Sequence, residues 1–356
     1  MEFCVTNRLT EDRGTPLPRH TFTAVISPTI GVSEYALPII TVSLSPAIDV
    51  TLQADHLRIG EHQKVKLISQ SAAGKAINVN RALTAMGIPT KATGFVGISD
   101  ADFFRQQIMS QKLGGRGIAT YRLISLDQPT RQNITILSAE GETHLRMEGF
   151  ALGELEMRRL SGEVRAVASP GDVVVVAGSV PESILGEDAA LWMDFLRQIL
   201  QMGARIAIDT SGAALRACCR EKLLVAKPNL TELGEISDET MAFDPPTIAA
   251  KARHILPNTQ HRVISCGRNG ALWVDDKRAL WAHYDAPLRV LRTVGCGDYL
   301  LAGFLAGLYA ELTPEDSIRR GITTATARAT SLSDAAESLS PMDIRSIEAQ
   351  VQVESV

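Results

Sequence analysis

From residue 154 onward the sequence alternates amphipathic helical stretches with short runs that are apolar at nearly every position. Helices are expected over 154–168, 187–202, near 212–220 and near 246–255. Between them lie Val173–Ala177, Arg205–Ile208, Leu223–Val225 and Arg262–Ser265. A strand without a polar side is buried on both faces, and strands separated by helices pair in parallel. The pattern therefore predicts an α/β fold, a mostly parallel central sheet with helices on both faces.

The upstream part fits the same scheme. Ile39–Leu44 reads as a buried first strand, ended by Pro46. Residues 77–86 place Val79, Ala82, Leu83 and Met86 on one helical face, with Gly87 as the C-terminal cap and Pro89 beyond it. Thr93–Val96 is the next strand, followed by a helix over Asp102–Lys112. Two segments differ. Residues 51–70 mix short apolar pairs with charges, as exposed strands do, and residues 117–148 contain two strands, Asn133–Ser138 and His144–Met147, joined by a turn at Glu140-Gly141. Residues 298–332 and 341–351 read as helical. Residues 1–38, punctuated by Pro16, Pro18, Pro28 and Pro38, read as an N-terminal extension, leaving 39–356 as the folded unit.

Composition removes several function classes. Thirty-six basic residues against 40 acidic ones leave a net charge of −4, so no basic field recruits nucleic acid. Cys4, Cys218, Cys219, Cys266 and Cys296 are scattered without a CxxC pair, and the seven histidines form no HExxH. A disulfide scaffold or structural zinc site is not expected, and thiols of this kind suit the cytoplasm. Apolar stretches such as Leu300–Tyr309 are too short to cross a bilayer, which takes about 20 residues, and no signal peptide is expected.

Four Gly-rich or polar segments carry chemistry. Thr293-Val294-Gly295-Cys296-Gly297-Asp298 precedes an apolar helical stretch. Free N–H groups at such a junction favour an anion, and an Asp there can take a proton from a hydroxyl. The same spelling also fits a tight turn with an N-capping Asp. Ala73-Gly74-Lys75-Ala76-Ile77-Asn78 again opens a helix; Lys75 offers a point charge to phosphate and Asn78 can bond hydroxyls. A plain helix start with a solvated lysine reads equally well. Lys227-Pro228-Asn229-Leu230-Thr231-Glu232 follows a strand. Asn229 and Glu232 suit hydrated magnesium or, alternatively, a capping box. Ser265-Cys266-Gly267-Arg268-Asn269-Gly270 is a strand followed by a Gly-x-x-Gly turn, for which a plain hairpin is the better reading, and Gly178-Ser179 after the 173–177 strand carries equally little by itself.

In this order, across roughly residues 39–340, the segments resemble the PfkB branch of the ribokinase-like sugar kinases. The resemblance implies a ribokinase-like fold with a small β-sheet lid, built from the exposed strands within about 51–70 and 117–148. It implies Asp298 as catalytic base, with Gly295, Cys296 and Gly297 as the anion hole. Asn229 and Glu232 would organise Mg2+ and ATP, and Lys227, Ser265, Gly267, Gly270 and Thr293 would lie on the nucleotide side. Asp49, Gly74, Lys75, Asn78 and Ser179 would face the sugar. Thr130-Arg131-Gln132-Asn133 is similar to the phosphosugar kinases, which use the arginine to hold the substrate's own phosphate. Met147–Leu152 resembles 6-phosphofructokinases, and Ala72-Ala73-Gly74-Lys75 resembles 1-phosphofructokinases.

The implied reaction is ATP-dependent phosphorylation of fructose 6-phosphate to fructose 1,6-bisphosphate, with fructose 1-phosphate and tagatose 6-phosphate as alternative acceptors. A homodimer through the lid is implied. Three departures bear on activity. Tyr299 stands where a small residue is usual and would crowd the site. Ala76 replaces a glycine and would be strained at positive φ. Cys296, at a helix start, would carry an acidified thiol. A non-catalytic sugar-phosphate sensor is the rival that Tyr299 and Ala76 motivate. A dinucleotide-dependent oxidoreductase needs GxGxxG after the first strand, and residues 44–60 lack it.

Overall fold

The computed structural model describes residues 38–109, 119–331 and 341–356. The N-terminal extension expected over 1–38 lies outside them except for Pro38, and so does the end of the Asp102–Lys112 helix.

The central sheet has ten strands. Seven are parallel: β1 (Ile39–Ser43), β4 (Thr90–Gly97), β5 (Ala119–Leu126), β8 (Val173–Ala177), β9 (Arg205–Asp209), β10 (Leu223–Ala226) and β11 (Thr259–Ser265). Three antiparallel strands, β12 (Ala271–Val274), β13 (Ala279–Tyr284) and β14 (Val351–Ser355), extend one edge. The order is β14-β13-β12-β11-β10-β9-β8-β1-β4-β5. From β1 the chain builds outward through β4 and β5, then returns to β8 on the other side. The sheet thus has a topological switch point between β1 and β8, where open α/β sheets leave a crevice at the carboxyl ends of the strands.

Two-sided burial explains the wholly apolar strands. Along β8, Val174 and Val176 enter one core with Trp192, Phe195 and Leu196, while Val175 and Ala177 enter a second with Leu301, Phe304 and Leu305. The first core lies under α3 (Glu154–Val167), α4 (Ala190–Gln201), α5 (Gly212–Cys218) and α7 (Pro245–Ile255). The second lies under α1 (Lys75–Ala85), α8 (Cys296–Tyr309) and α9 (Pro314–Thr330). Alternate residues of one strand thus fill opposite layers.

A separate four-stranded sheet, ordered β3-β2-β6-β7, forms the lid: β2 (Ala47–Gln53), β3 (Lys66–Ala73), β6 (Arg131–Ser138) and β7 (Gly141–Arg146). Register gives it two unlike faces. Asp49, Ser71, Arg131, Asn133 and Arg146 lie on one, and Val50, Leu52, Leu67, Ile134 and Leu145 on the other.

Three expectations need correction. Residues 119–126 are not lid but the edge strand β5 of the main sheet, paired in parallel along all of β4. Within 51–70 only the two ends are strand, and a loop spans 54–65. The chain does not end in a helix alone: α10 (Pro341–Glu348) is followed by β14. There Val351 and Val353 alternate with Gln352 and Glu354 against β13, and Arg319 of α9 donates to the Val351 carbonyl.

Candidate active site

Side chains from the starts of α1 and α8, the end of β9 and the segment after β10 meet in one place. Asp298 sits in the first turn of α8 and is 6% exposed. Gly295 caps the helix in the left-handed region (φ 85°), which a side chain would strain. A Cβ there would also lie 3.4 Å from Arg328 Nε and 3.8 Å from Asn78 Nδ2. Cys296 N and Asp298 N already donate to the Thr293 and Gly295 carbonyls, at 3.5 and 3.0 Å, and the positive end of the helix dipole favours an anion there.

Two lysines converge on one carboxylate. Asp209 ends β9, fully buried, and lies 2.8 Å from Lys75 Nζ and 3.0 Å from Lys227 Nζ. Lys75 also lies 3.6 Å from Glu232 Oε1. Burial alone would lower the Lys75 ammonium, but Asp209 and Glu232 outweigh it and the net shift is upward. Lys75 is thus an ion-paired floor residue rather than a solvated lysine. Lys227 is 4% exposed, and its Nζ would lie 3.4 Å from a Cβ on Gly297.

Asn78, one turn into α1, donates from Nδ2 to Asp298 Oδ2 at 2.7 Å. Burial and the nearby Asp209 charge push the Asp298 carboxyl up to about 7, against the pull of Asn78, Lys227 and Lys75. A carboxylate near neutrality is suited to exchanging a proton with a hydroxyl.

Asn229 and Glu232 form the capping box of α6 (Leu230–Ser237). Glu232 N donates to Asn229 Oδ1 and Asn229 N to Glu232 Oε2, each at 2.8 Å. This structural role engages the single side-chain oxygen of Asn229 and one of the two carboxylate oxygens of Glu232. Glu232 Oε1 still faces the cleft beside Lys75. Among the described residues no three His, Cys, Asp or Glu side chains cluster as a metal cage. The donor set fits a hydrated Mg2+ held through water and phosphate oxygens.

The remaining candidates lie on several elements, and no contact among the described residues brings all of them together. Ser265 bridges to Asn229 and donates its N–H to the Pro228 carbonyl; Gly267 and Gly270 form the turn of the β11–β12 hairpin, so the hairpin reading holds. Thr293 is exposed just before α8. Gly74 caps α1 beside Pro46. Ser179 is exposed after β8, next to Gly178, which approaches Lys75. On the lid, Asp49 Oδ1 accepts from Asn133 Nδ2 at 2.8 Å. Arg131 reaches the carbonyls of Pro46 and Ser45, each at 3.3 Å. Burial, eased by Asp49 and reinforced by Arg146, lowers its guanidinium.

The three departures resolve differently from expectation. Tyr299 does not crowd the cleft. It is 5% exposed within the second core, under the Arg328 guanidinium at 5.1 Å. Ala76 lies within α1 and is not among the positive-φ residues, so it is unstrained. The Cys296 thiol is shifted up, not down: burial and Asp298 outweigh Arg328 and Arg292.

Sequence reading missed Asp209 and Arg81. Asp209 was legible as the one acid closing a parallel strand, Arg205–Asp209. Arg81 lies three residues beyond Asn78, on the same helical face.

A carboxylate beside an anion-binding helix start, at the switch point of a parallel sheet, is a site for moving a phosphoryl group onto a hydroxyl. The chain is a kinase of that type. Residues 41–340 match the model of the pfkB family carbohydrate kinases, and the chain belongs to that family. It is 31% identical over 329 residues to the 1-phosphofructokinase of Xanthomonas campestris, covering 90% of this chain and 99% of the relative. The 1-phosphofructokinase of Escherichia coli is 31% identical over 280 residues, 78% of this chain and 86% of its own. Among solved structures, the phosphofructokinase-2 of Escherichia coli in complex with fructose-6-phosphate superposes with a TM-score of 0.76 at 22% identity, covering 88% of this chain and 98% of that one. The ribokinase-like fold and a sugar-phosphate kinase activity are thereby established.

Proposed function

We propose that the chain transfers the γ-phosphate of ATP to a fructose monophosphate, making fructose 1,6-bisphosphate, with fructose 1-phosphate as first acceptor. The observation that carries this is Arg131 on the polar face of the lid, with Asp49 on the neighbouring strand, in a chain that also presents Asp298 as a buried base. A guanidinium for phosphate together with a base for a hydroxyl suits a sugar with phosphate on one terminal carbon and a hydroxyl on the other. Fructose 1-phosphate and fructose 6-phosphate both meet that description and give the same product. The curated relatives named above are 1-phosphofructokinases, which favours the first.

Transfer is direct and in line. Asp298 takes the proton of the acceptor hydroxyl as that oxygen bonds to the γ-phosphorus, and the bond to the β,γ-bridging oxygen breaks, releasing ADP. The α8 N–H groups of Gly295, Cys296 and Gly297 hold the transferring group's oxygens, and Lys227 lies alongside. Asp49, Asn78 and Gly74 hold sugar hydroxyls, with Ser179 at the rim. Ser265, Gly267, Gly270 and Thr293 border the nucleotide. Glu232 and Asn229 would hold the water shell of Mg2+, which would supply positive charge to offset that of the phosphates.

Fructose 6-phosphate is the second reading. It is favoured by the Met147–Leu152 stretch, where Gly149 packs so close to Ser45 that a Cβ would lie 2.4 Å from its hydroxyl. That contact sets the loop against Arg131. The chain works as a dimer through the apolar lid face, where Leu67 and Leu145 are half exposed. Cys218, Cys219, Cys266 and Cys296 are free thiols, in keeping with the cytoplasm.

The test is ADP release with Mg2+ and ATP on fructose 1-phosphate, fructose 6-phosphate, tagatose 6-phosphate and fructose. Turnover fastest on fructose 1-phosphate, cut at least about 10²-fold in Asp298→Asn, is expected. Faster turnover on fructose 6-phosphate would select the second reading. Near-normal turnover of Asp298→Asn would remove it as the base.

A further inference from the structure

We propose that Arg81 is a positioning residue for the base, acting through Asn78; the inference rests on Asp298 being that base. An asparagine amide has two ends of nearly the same shape and opposite hydrogen-bonding character. Arg81 can only donate. Its Nη1 donates to Asn78 Oδ1 at 3.1 Å, which turns the opposite end, Nδ2, onto Asp298 Oδ2 at 2.7 Å. If the amide were reversed, Arg81 would meet an NH2 group and Asp298 would meet a carbonyl oxygen. Both contacts would be repulsive, so the guanidinium selects one orientation.

The guanidinium is itself anchored. Its Nη2 donates to the Ala72 carbonyl at 2.8 Å. Ala72 is fully buried near the end of β3, at the root of the lid. Arg81 is 8% exposed and one helical turn beyond Asn78, so α1 delivers both residues to the same place. The chain of contacts therefore runs from the lid root through Arg81 and Asn78 to the carboxylate. With Oδ2 held by Asn78, Oδ1 is the oxygen that receives the acceptor's proton. Arg81 acts on the carboxylate through Asn78.

The other charges around Asp298 come from separate elements: Lys75 from the start of α1, Asp209 from the end of β9 and Lys227 after β10. Arg328 of α9 acts on the neighbouring Cys296. All of these remain in place when Arg81 alone is changed.

The experiment compares Arg81→Met, Arg81→Lys, Asn78→Ala and the double variant Asn78→Ala/Arg81→Met. Arg81→Met should lower kcat about 10²-fold, the scale of a misplaced catalytic group, and Arg81→Lys should recover part of it. Losing a donor to the charged form should also move the acid limb of kcat/KM to higher pH. The double variant should be no slower than Asn78→Ala, because Arg81 then has nothing left to orient. Additive losses, an unmoved acid limb, or a kcat loss that only follows the melting temperature would overturn the proposal. Should the unmodified enzyme turn over none of the sugar phosphates, the acceptor reading falls by itself. Carboxyl NMR of Asp298 then decides the present point without turnover. An upward titration shift in Arg81→Met supports it, and an unchanged titration overturns it.

Discussion

At the residue scale, the departures from the family pattern sort by where side chains point. Tyr299 is a core residue: its ring lies among Leu300, Phe304 and Ile322, with Arg328 above it. Tyr299→Ser should therefore destabilise the fold by about 3 kcal/mol, the range for emptying an aromatic site, without raising kcat. Chemical denaturation together with steady-state rates checks both halves. Arg131→Ala should raise KM for a phosphorylated acceptor at least about tenfold, as loss of a charge-assisted phosphate contact does, with kcat less affected. An unchanged KM would exclude phosphate recognition at that position.

At the element scale, the antiparallel extension carries a pH-sensitive contact. His261 on β11 is 8% exposed, and its Nδ1 accepts from Trp273 Nε1 at 3.0 Å. Burial pushes this imidazole down to about 4, with Arg262 lowering it further and Asp275 opposing. The unfolded chain takes up the proton near pH 6.5, but the folded protein resists until about 4. Stability is therefore intact above pH 6.5 and falls as pH drops between these values, by about 3 kcal/mol from this group. Urea midpoints measured from pH 7.5 to 4 should show a steeper fall in the unmodified protein than in His261→Gln. Parallel curves would contradict the assignment.

At the scale of the whole molecule, the lid is a sheet with one polar and one apolar face, and only the polar face has work in the cleft. Leu67 (56% exposed) and Leu145 (50%) lie on the other. Leu145→Glu should shift the protein from dimer to monomer in sedimentation at micromolar concentration, with a like charge now facing its copy. A monomeric unmodified protein would end the dimer reading.

The two kinds of pattern in the sequence had different reach. The run Val173–Ala177 was legible to the residue because a strand buried on both faces must be apolar throughout. The order of the Gly-rich segments likewise identified the family and put Asp298 at a helix start. The sequence could not tell that residues 119–126 belong to the main sheet. Edge strands and lid strands are both half exposed, and only long-range pairing with β4 separates them. The spacing of Asn229 and Glu232 offered a capping box beside the magnesium reading, and the structure shows the box formed. That Lys75 and Lys227 share Asp209 was not legible, because Lys75 and Asp209 are 134 residues apart in the chain. Local periodicity and backbone chemistry are written in neighbouring residues, so the sequence determined the elements, the layers and the site's ingredients. Tertiary packing decided which charges meet, which thiol is buried and which way Tyr299 turns, because burial and electrostatics depend on what the rest of the fold brings within a few ångströms.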